Sequence, residues 1–140
     1  MTKHTFLDLG YQPIANGFLT EKDFDDEFFF NLEVTFDDET SLITQKDYVS
    51  ADRMFHEDYA YRGSLSKTMV SHFRVTSTML RTQIPEENPR ILEIGSNDGV
   101  FIKNWDPDNT FAVEPCSNFA KETNDMGYTT YAKFWGCLLY

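Results

Sequence analysis

The stretch from Arg90 to Phe101 constrains this chain more than any other. Ile91, Leu92 and Ile94 lead into Gly95-Ser96-Asn97-Asp98-Gly99, and apolar residues resume at Val100, Phe101 and Ile102. An apolar run, a cluster of turn formers and a second apolar run read as buried strand, tight turn and helix start. Gly95 and Gly99 stand where the backbone bends sharply or approaches a ligand closely, which a Cβ would resist. The spacing predicts a helix through Asn104, with unpaired N–H groups and the positive end of its dipole facing the turn. Such a turn is a place to bind a nucleotide-like ligand.

Pro107-Asp108-Asn109 then introduces a short strand, Thr110 to Val113, that ends on Glu114-Pro115. Dinucleotide-type folds put a ribose-binding carboxylate about twenty residues beyond the glycine turn, and Glu114 stands there. A glycine turn alone serves backbone geometry as often as binding. The order of strand, turn, helix, strand and terminal acid is what points to a nucleoside site.

These residues resemble a known family. Glu93-Ile94-Gly95-Ser96-Asn97-Asp98-Gly99, followed by Val113-Glu114-Pro115, is similar to the S-adenosylmethionine site of the sugar C-methyltransferases that act on nucleoside-diphosphate keto-deoxysugars. The segment from Leu7 to Leu19 is similar to the opening of that family's N-terminal domain. Tyr59-Ala60-Tyr61-Arg62-Gly63-Ser64, with His72-Phe73, is similar to the segment leading into its connecting helix. The resemblance runs from residue 6 to near residue 136.

It implies an α/β fold, in which a small β-hairpin N-terminal module is joined by a helix to the first half of a Rossmann-like methyltransferase domain. It also implies S-adenosylmethionine as cofactor. Glu93, Gly95, Ser96, Asn97, Asp98 and Gly99 would form the cofactor loop, Glu114 would hold the ribose hydroxyls, and Pro115 would help set the adenine pocket. Glu93 has a second reading, as a structural acid bonding loop N–H groups. The family's chemistry removes a proton alpha to a sugar keto group, and the enolate attacks the activated methyl; this requires a base, an enolate stabiliser and a placed donor. Tyr59 and Tyr61 are the candidates for the catalytic, substrate-side role, with aromatic packing as the alternative.

Charge narrows the partners. With 23 acidic and 12 basic residues the formal charge is −11, which repels phosphate backbones and anionic lipid. A nucleic-acid partner and a membrane partner are therefore not expected, and a nucleotide-linked sugar is the small-molecule substrate implied by the resemblance. No apolar run approaches the roughly twenty residues that span a bilayer, and Met1 to Thr5 lacks the apolar core of a secretory signal, so a cytoplasmic location is expected. Cys116 and Cys137 are too few for a disulfide framework, and neither has the histidine neighbour of a nucleophile.

Along the chain, residues 1–49 read as the N-terminal module, 50–85 as connecting helices and 86–140 as the partial nucleotide-binding domain. Gly10, Pro13 and Gly17 mark residues 6–19 as extended or turn-like. Phe30, Leu32, Val34 and Phe36 alternate with polar residues, which predicts a strand with one dry side, and Ser41 to Gln45 returns as its antiparallel partner. The resembling family places zinc-binding cysteines in this module; here the matching turn positions are Asp37 and Thr40, and the expectation is that zinc is absent. His4, His56 and His72 lack ligand spacing. A short helix is predicted from Ser50. A longer one, with Leu65, Met69, Phe73, Thr76 and Leu80 on one face, is predicted to end near Pro85.

After Glu114, Ser117 to Asp125 reads as a helix stopped by Gly127, and Tyr128 to Tyr131 as a third strand. Three parallel strands and two helices leave an open edge and a bare face. Three expectations follow: a truncated methyltransferase that keeps its cofactor half, a non-catalytic module that pairs with a second copy or with a separately encoded C-terminal half, or a nonfunctional remnant that folds poorly. The apolar tail from Trp135 to Tyr140 is a further candidate to cover part of the gap.

Overall fold

The computed structural model describes residues 3–136; Cys137 and the rest of the apolar tail lie outside them. The chain divides into two compact units, Met1–Met54 and Phe55–Tyr140. Its composition is mixed α/β, with one antiparallel and one parallel three-stranded sheet.

In the first unit, β1 (Lys3–Pro13), β2 (Phe29–Asp37) and β3 (Ile43–Gln45) pair antiparallel in the order β1-β2-β3. The anticipated hairpin is β2 with β3, and the extended chain expected over residues 6–19 is, as far as Pro13, a strand of the same sheet. Gly10 and Pro13 are residues that ordinarily weaken a strand. The sheet accommodates them because β1 is an edge strand whose register shifts between Asp8 and Tyr11, with Gly10 at φ 68 and Pro13 at the strand end. The dry side departs from expectation. Phe30, Leu32, Val34 and Phe36 are half-buried, while Thr35 and Asp37 are the buried positions of β2. Thr35 sits on the central strand with its Oγ1 bonded to the Thr44 carbonyl at 3.2 Å, and Asp37 turns inward to close the following turn. The Phe28 and Phe30 rings stack at 6.4 Å, and the Arg53 guanidinium lies over Phe28 at 4.3 Å. The short helix expected from Ser50 is α1 (Ala51–Met54).

In the second unit, Ser66 caps α2 (Lys67–Gln83), its hydroxyl accepting from Met69 N–H at 3.3 Å. Met69, Phe73, Thr76 and Leu80 form its inner face as the spacing predicts. Leu65 does not join them: it lies in a 3-10 turn before the cap and is 78% exposed. The parallel sheet comprises β4 (Ile91–Ile94), β5 (Thr110–Val113) and β6 (Thr129–Tyr131), in the order β4-β5-β6. Between β5 and β6 runs α3 (Ser117–Asp125), stopped where Gly127 adopts φ 96.

The helix expected from Gly99 to Asn104 is not formed. Residues 97–101 are turns and only Ile102–Asn104 makes a 3-10 turn. Asn104 explains the early stop, since its Nδ2 donates to the carbonyls of both Val100 (3.2 Å) and Phe101 (2.9 Å), taking acceptors a continuing helix would use. One face of the sheet is nevertheless well covered: Ala112, Ile102, Phe119 and Thr123 have no exposed surface. Phe73, Phe101 and Trp105 continue that packing edge to face at 5.6 and 6.1 Å, and Arg81 caps the row over Trp105 at 4.4 Å. The opposite face is less covered, with Leu92, Ile94 and Tyr131 about half exposed and Val113 buried between the last two.

Candidate functional site

The bend between β4 and β5 is built from three left-handed residues. Gly95 (φ 75), Asn97 (φ 50) and Gly99 (φ 77) reverse the chain, a conformation that glycine adopts freely and asparagine tolerates best among other residues. A Cβ on Gly99 would stand 2.9 Å from Thr123 Cγ2, so close packing on α3 also requires glycine there. Gly95 N–H donates to the Val113 carbonyl at 2.8 Å and continues the ladder one residue past β4.

Glu114, 4% exposed, fastens the bend from the end of β5. Its Oε2 accepts from Asn97 N–H at 2.6 Å and its Oε1 from Cys116 N–H at 2.8 Å. One carboxylate thereby ties the tip of the glycine turn to the start of α3. Two of the roughly four lone-pair directions of a carboxylate are used by these bonds, which leaves acceptor capacity for hydroxyl donors.

Beneath the bend, Glu93 faces the covered side of the sheet in register with Ala112. Burial, and then the charge of Glu114, push its pKa up to about 8 against the pull of Ile102 N–H. Its Oε2 is buried with no protein partner, and so is the hydroxyl of Ser96, a residue 1% exposed. Buried atoms without a protein partner also occur away from the bend, at Ser77, Trp105 and Asn118.

The segment before α2 closes over the same bend. Gly63 N–H donates to Asn97 Oδ1 at 2.9 Å, Ser64 N–H to the buried Asp98 carboxylate at 3.1 Å, and Asn97 Nδ2 to the Tyr61 carbonyl at 3.0 Å. Arg62 forks onto Glu122 of α3 at 2.7 and 2.6 Å, with its guanidinium 4.8 Å from the centre of the Phe119 ring. The sequence singled out the Tyr59 to Ser64 segment and the glycine turn separately, and the structure brings them together. The N–H groups of Gly63 and Ser64 escaped the sequence reading as contacts because backbone donors leave no mark in a side-chain pattern, and Arg62 because its partner Glu122 lies sixty residues away.

The two tyrosines differ in setting. Tyr59 packs its ring on Phe55 (5.3 Å) and edge-on against Phe119 (6.4 Å), whereas the Tyr61 side chain is half exposed beside the bend. Pro115 follows Glu114 and is partly buried. Cys116 is buried, and burial together with Glu114 pushes its thiol up to about 12, which suits a packed side chain rather than a nucleophile. Two surface grooves, one along α2 (Lys67, Thr68, Ser71, His72 and Val75) and one beside Arg81 to Pro89, include none of the bend residues.

Residues 1–55 match the Methyltransf_13 family, described as a "putative zinc binding domain". The first unit is thus of a methyltransferase-associated type. A search of curated proteins returns no match. The residues do not fit zinc. Both cysteines of the chain lie beyond residue 55, the one imidazole within the matched region, His4, pairs with Asp38 at 2.5 Å, and Asp37 is turned into its own loop. Structural zinc sites are four-coordinate and built from cysteine and histidine, and one histidine with scattered carboxylates does not supply that set. Among the described residues no cluster of three or more such side chains is arranged around a common point. His56 and His72 are engaged locally, His56 Nδ1 with Asp58 N–H and the His72 ring against Phe73.

Proposed function

We propose that the chain binds S-adenosylmethionine in the bend from Gly95 to Gly99 and forms the cofactor-binding part of a Rossmann-like methyltransferase. By resemblance, the acceptor is the keto-deoxysugar of a nucleotide-linked sugar. One observation carries the reading: the carboxylate at the end of β5 is buried and aimed at the tip of a left-handed glycine turn at the end of β4. Under this reading the acceptor capacity left on Glu114 serves the ribose hydroxyls, and the Ser96 hydroxyl, buried in the bend without a protein partner, is a further polar group for the ligand. S-adenosylmethionine, when bound, supplies an activated methyl group. The chain's own contribution is to seat and orient it, and Tyr61, half exposed at the rim, is the better placed of the two tyrosines to meet a sugar substrate. Calorimetric titration with S-adenosylhomocysteine tests the assignment: saturable heat with one site per chain is expected, and no heat at millimolar ligand would refute it.

A second reading is favoured by the bare sheet face. Leu92 and Ile94 of β4 and Tyr131 of β6 are about half exposed, with the buried Val113 between Ile94 and Tyr131, and among the described residues no strand pairs with the outer edge of β4. An unpaired edge beside an apolar face is a surface for adding strands from another chain. Under this reading the unit is an interaction module that pairs with a second copy. Light scattering across a concentration series should then show mass rising toward a dimer, and a constant monomer mass would exclude it. Among the described residues no helix is long and apolar enough to cross a membrane.

A further inference from the structure

We propose that the N-terminal unit has exchanged metal for carboxylates: Asp37 holds the β2–β3 turn, Glu33 ties the three strands together, and the unit folds without zinc. The matched family is described by its zinc binding, yet the donor set is missing. Small scaffolds with little apolar core need a staple of some kind, and in this unit Thr35 and Asp37, both polar, are the buried residues of the central strand.

The turn shows what replaces the metal. Asp37 Oδ1 accepts from Glu39 N–H at 2.9 Å and from Thr40 N–H at 3.0 Å. The Asp37 carbonyl accepts from Ser41 N–H at 2.8 Å, and its N–H donates to the Leu42 carbonyl at 3.0 Å. A single aspartate therefore satisfies four backbone groups of one tight loop, and Ser41, at φ 57, completes the reversal. A metal-bound thiolate organises a loop in the same way, by collecting N–H groups around one fixed negative atom; here the carboxylate is fixed by the loop itself. These N–H bonds, Thr40's first and then Glu39's, hold the Asp37 carboxyl below its ordinary range.

Glu33 provides the second staple. From β2 it accepts from Thr5 Oγ1 of β1 at 3.1 Å and from Lys46 Nζ, just past β3, at 2.8 Å, so that one side chain spans the sheet. Asn31 Nδ2 also reaches Glu33 Oε1. At the far end of β1, His4 pairs with Asp38 of the turn. The bonds of Glu33 to Thr5 and Lys46 and of His4 to Asp38 join segments distant in sequence, as a shared metal ion would.

The test combines thermal unfolding with amide exchange of the full chain, in chelator, in buffer and with excess zinc chloride. Identical melting temperatures and exchange rates in all three are expected. Asp37→Ala should raise exchange at the Glu39 and Thr40 amides by about tenfold or more, consistent with the loss of charge-assisted bonds. Asp37→Asn keeps the Oδ1 acceptor and should fall between Ala and the parent chain. Destabilisation by chelator, stabilisation or amide protection by zinc, or unchanged exchange in Asp37→Ala would each overturn the proposal. If Asp37→Ala does not fold, the chelator and zinc arms and Asp37→Asn still decide. None of these outcomes depends on methyl-donor binding.

Discussion

Glu114→Gln should weaken S-adenosylhomocysteine binding by about a hundredfold and destabilise the second unit by roughly 2 kcal/mol, because a buried amide presents a donor where an N–H already points. In the parent chain each carboxylate oxygen receives one N–H, from Asn97 and from Cys116. A glutamine side chain keeps one acceptor and turns its NH2 group toward the other N–H. With 4% of the residue exposed, water does not resolve that conflict. Under the proposed assignment a bond from a ribose hydroxyl is weakened at the same time, since the charge that strengthens it is gone. Thermal unfolding and calorimetry on one preparation separate the two effects. A stable variant with lost binding assigns Glu114 chiefly to the ligand, and a variant with unchanged melting and unchanged affinity contradicts both roles.

The second large effect is on pH. Glu93 has a folded pKa of about 8 against an ordinary value of 4.5, because burial and the neighbouring Glu114 both oppose its charge. In that interval the folded chain keeps a proton that the unfolded chain releases, so the unfolded state binds fewer protons and stability falls as pH rises. The loss begins above the unfolded value, accumulates through the folded one and levels off beyond it. Its size is on the order of 3 kcal/mol, below the full 1.4 kcal/mol per unit because the site is only partly enclosed. Glu93→Gln should flatten this slope. The readout is the difference in unfolding free energy between pH 5 and pH 9 in parent and variant, since the amide's own packing changes the absolute values. Equal slopes would show that Glu93 ionises freely in the fold.

Much of the second unit was legible in the sequence because its signals are local. An apolar run into Gly95, another ending on Glu114, a helix stopped by Gly127 and the three-to-four spacing of Met69, Phe73, Thr76 and Leu80 each lie within one element or its ends. The expectation of a bare face was equally readable, since three parallel strands with few covering segments cannot enclose both sides. What the sequence concealed depends on contacts between distant residues. The pairing of β1 along β2 was hidden by Gly10 and Pro13, which look like breakers until the register shift beside them is seen. The helix expected after Gly99 fails because Asn104 takes the carbonyls of Val100 and Phe101, a competition that propensity does not register. Closure of the Tyr61 to Ser64 backbone over Asn97 and Asp98 is made largely by main-chain groups, which carry no residue-specific signature. For the candidate site, order and chemistry of the residues were readable; which atoms already satisfy one another was not.

The most direct test of methyl-donor binding is a titration of the isotopically labelled chain with S-adenosylhomocysteine, followed at the backbone amides. Binding at the bend predicts saturable shifts concentrated at Gly95 to Gly99 and at Cys116, whose N–H groups line the turn or share the Glu114 carboxylate, with residues of the first unit unchanged. Spectra that stay fixed at these amides up to millimolar ligand, or shifts confined to other segments, would contradict it.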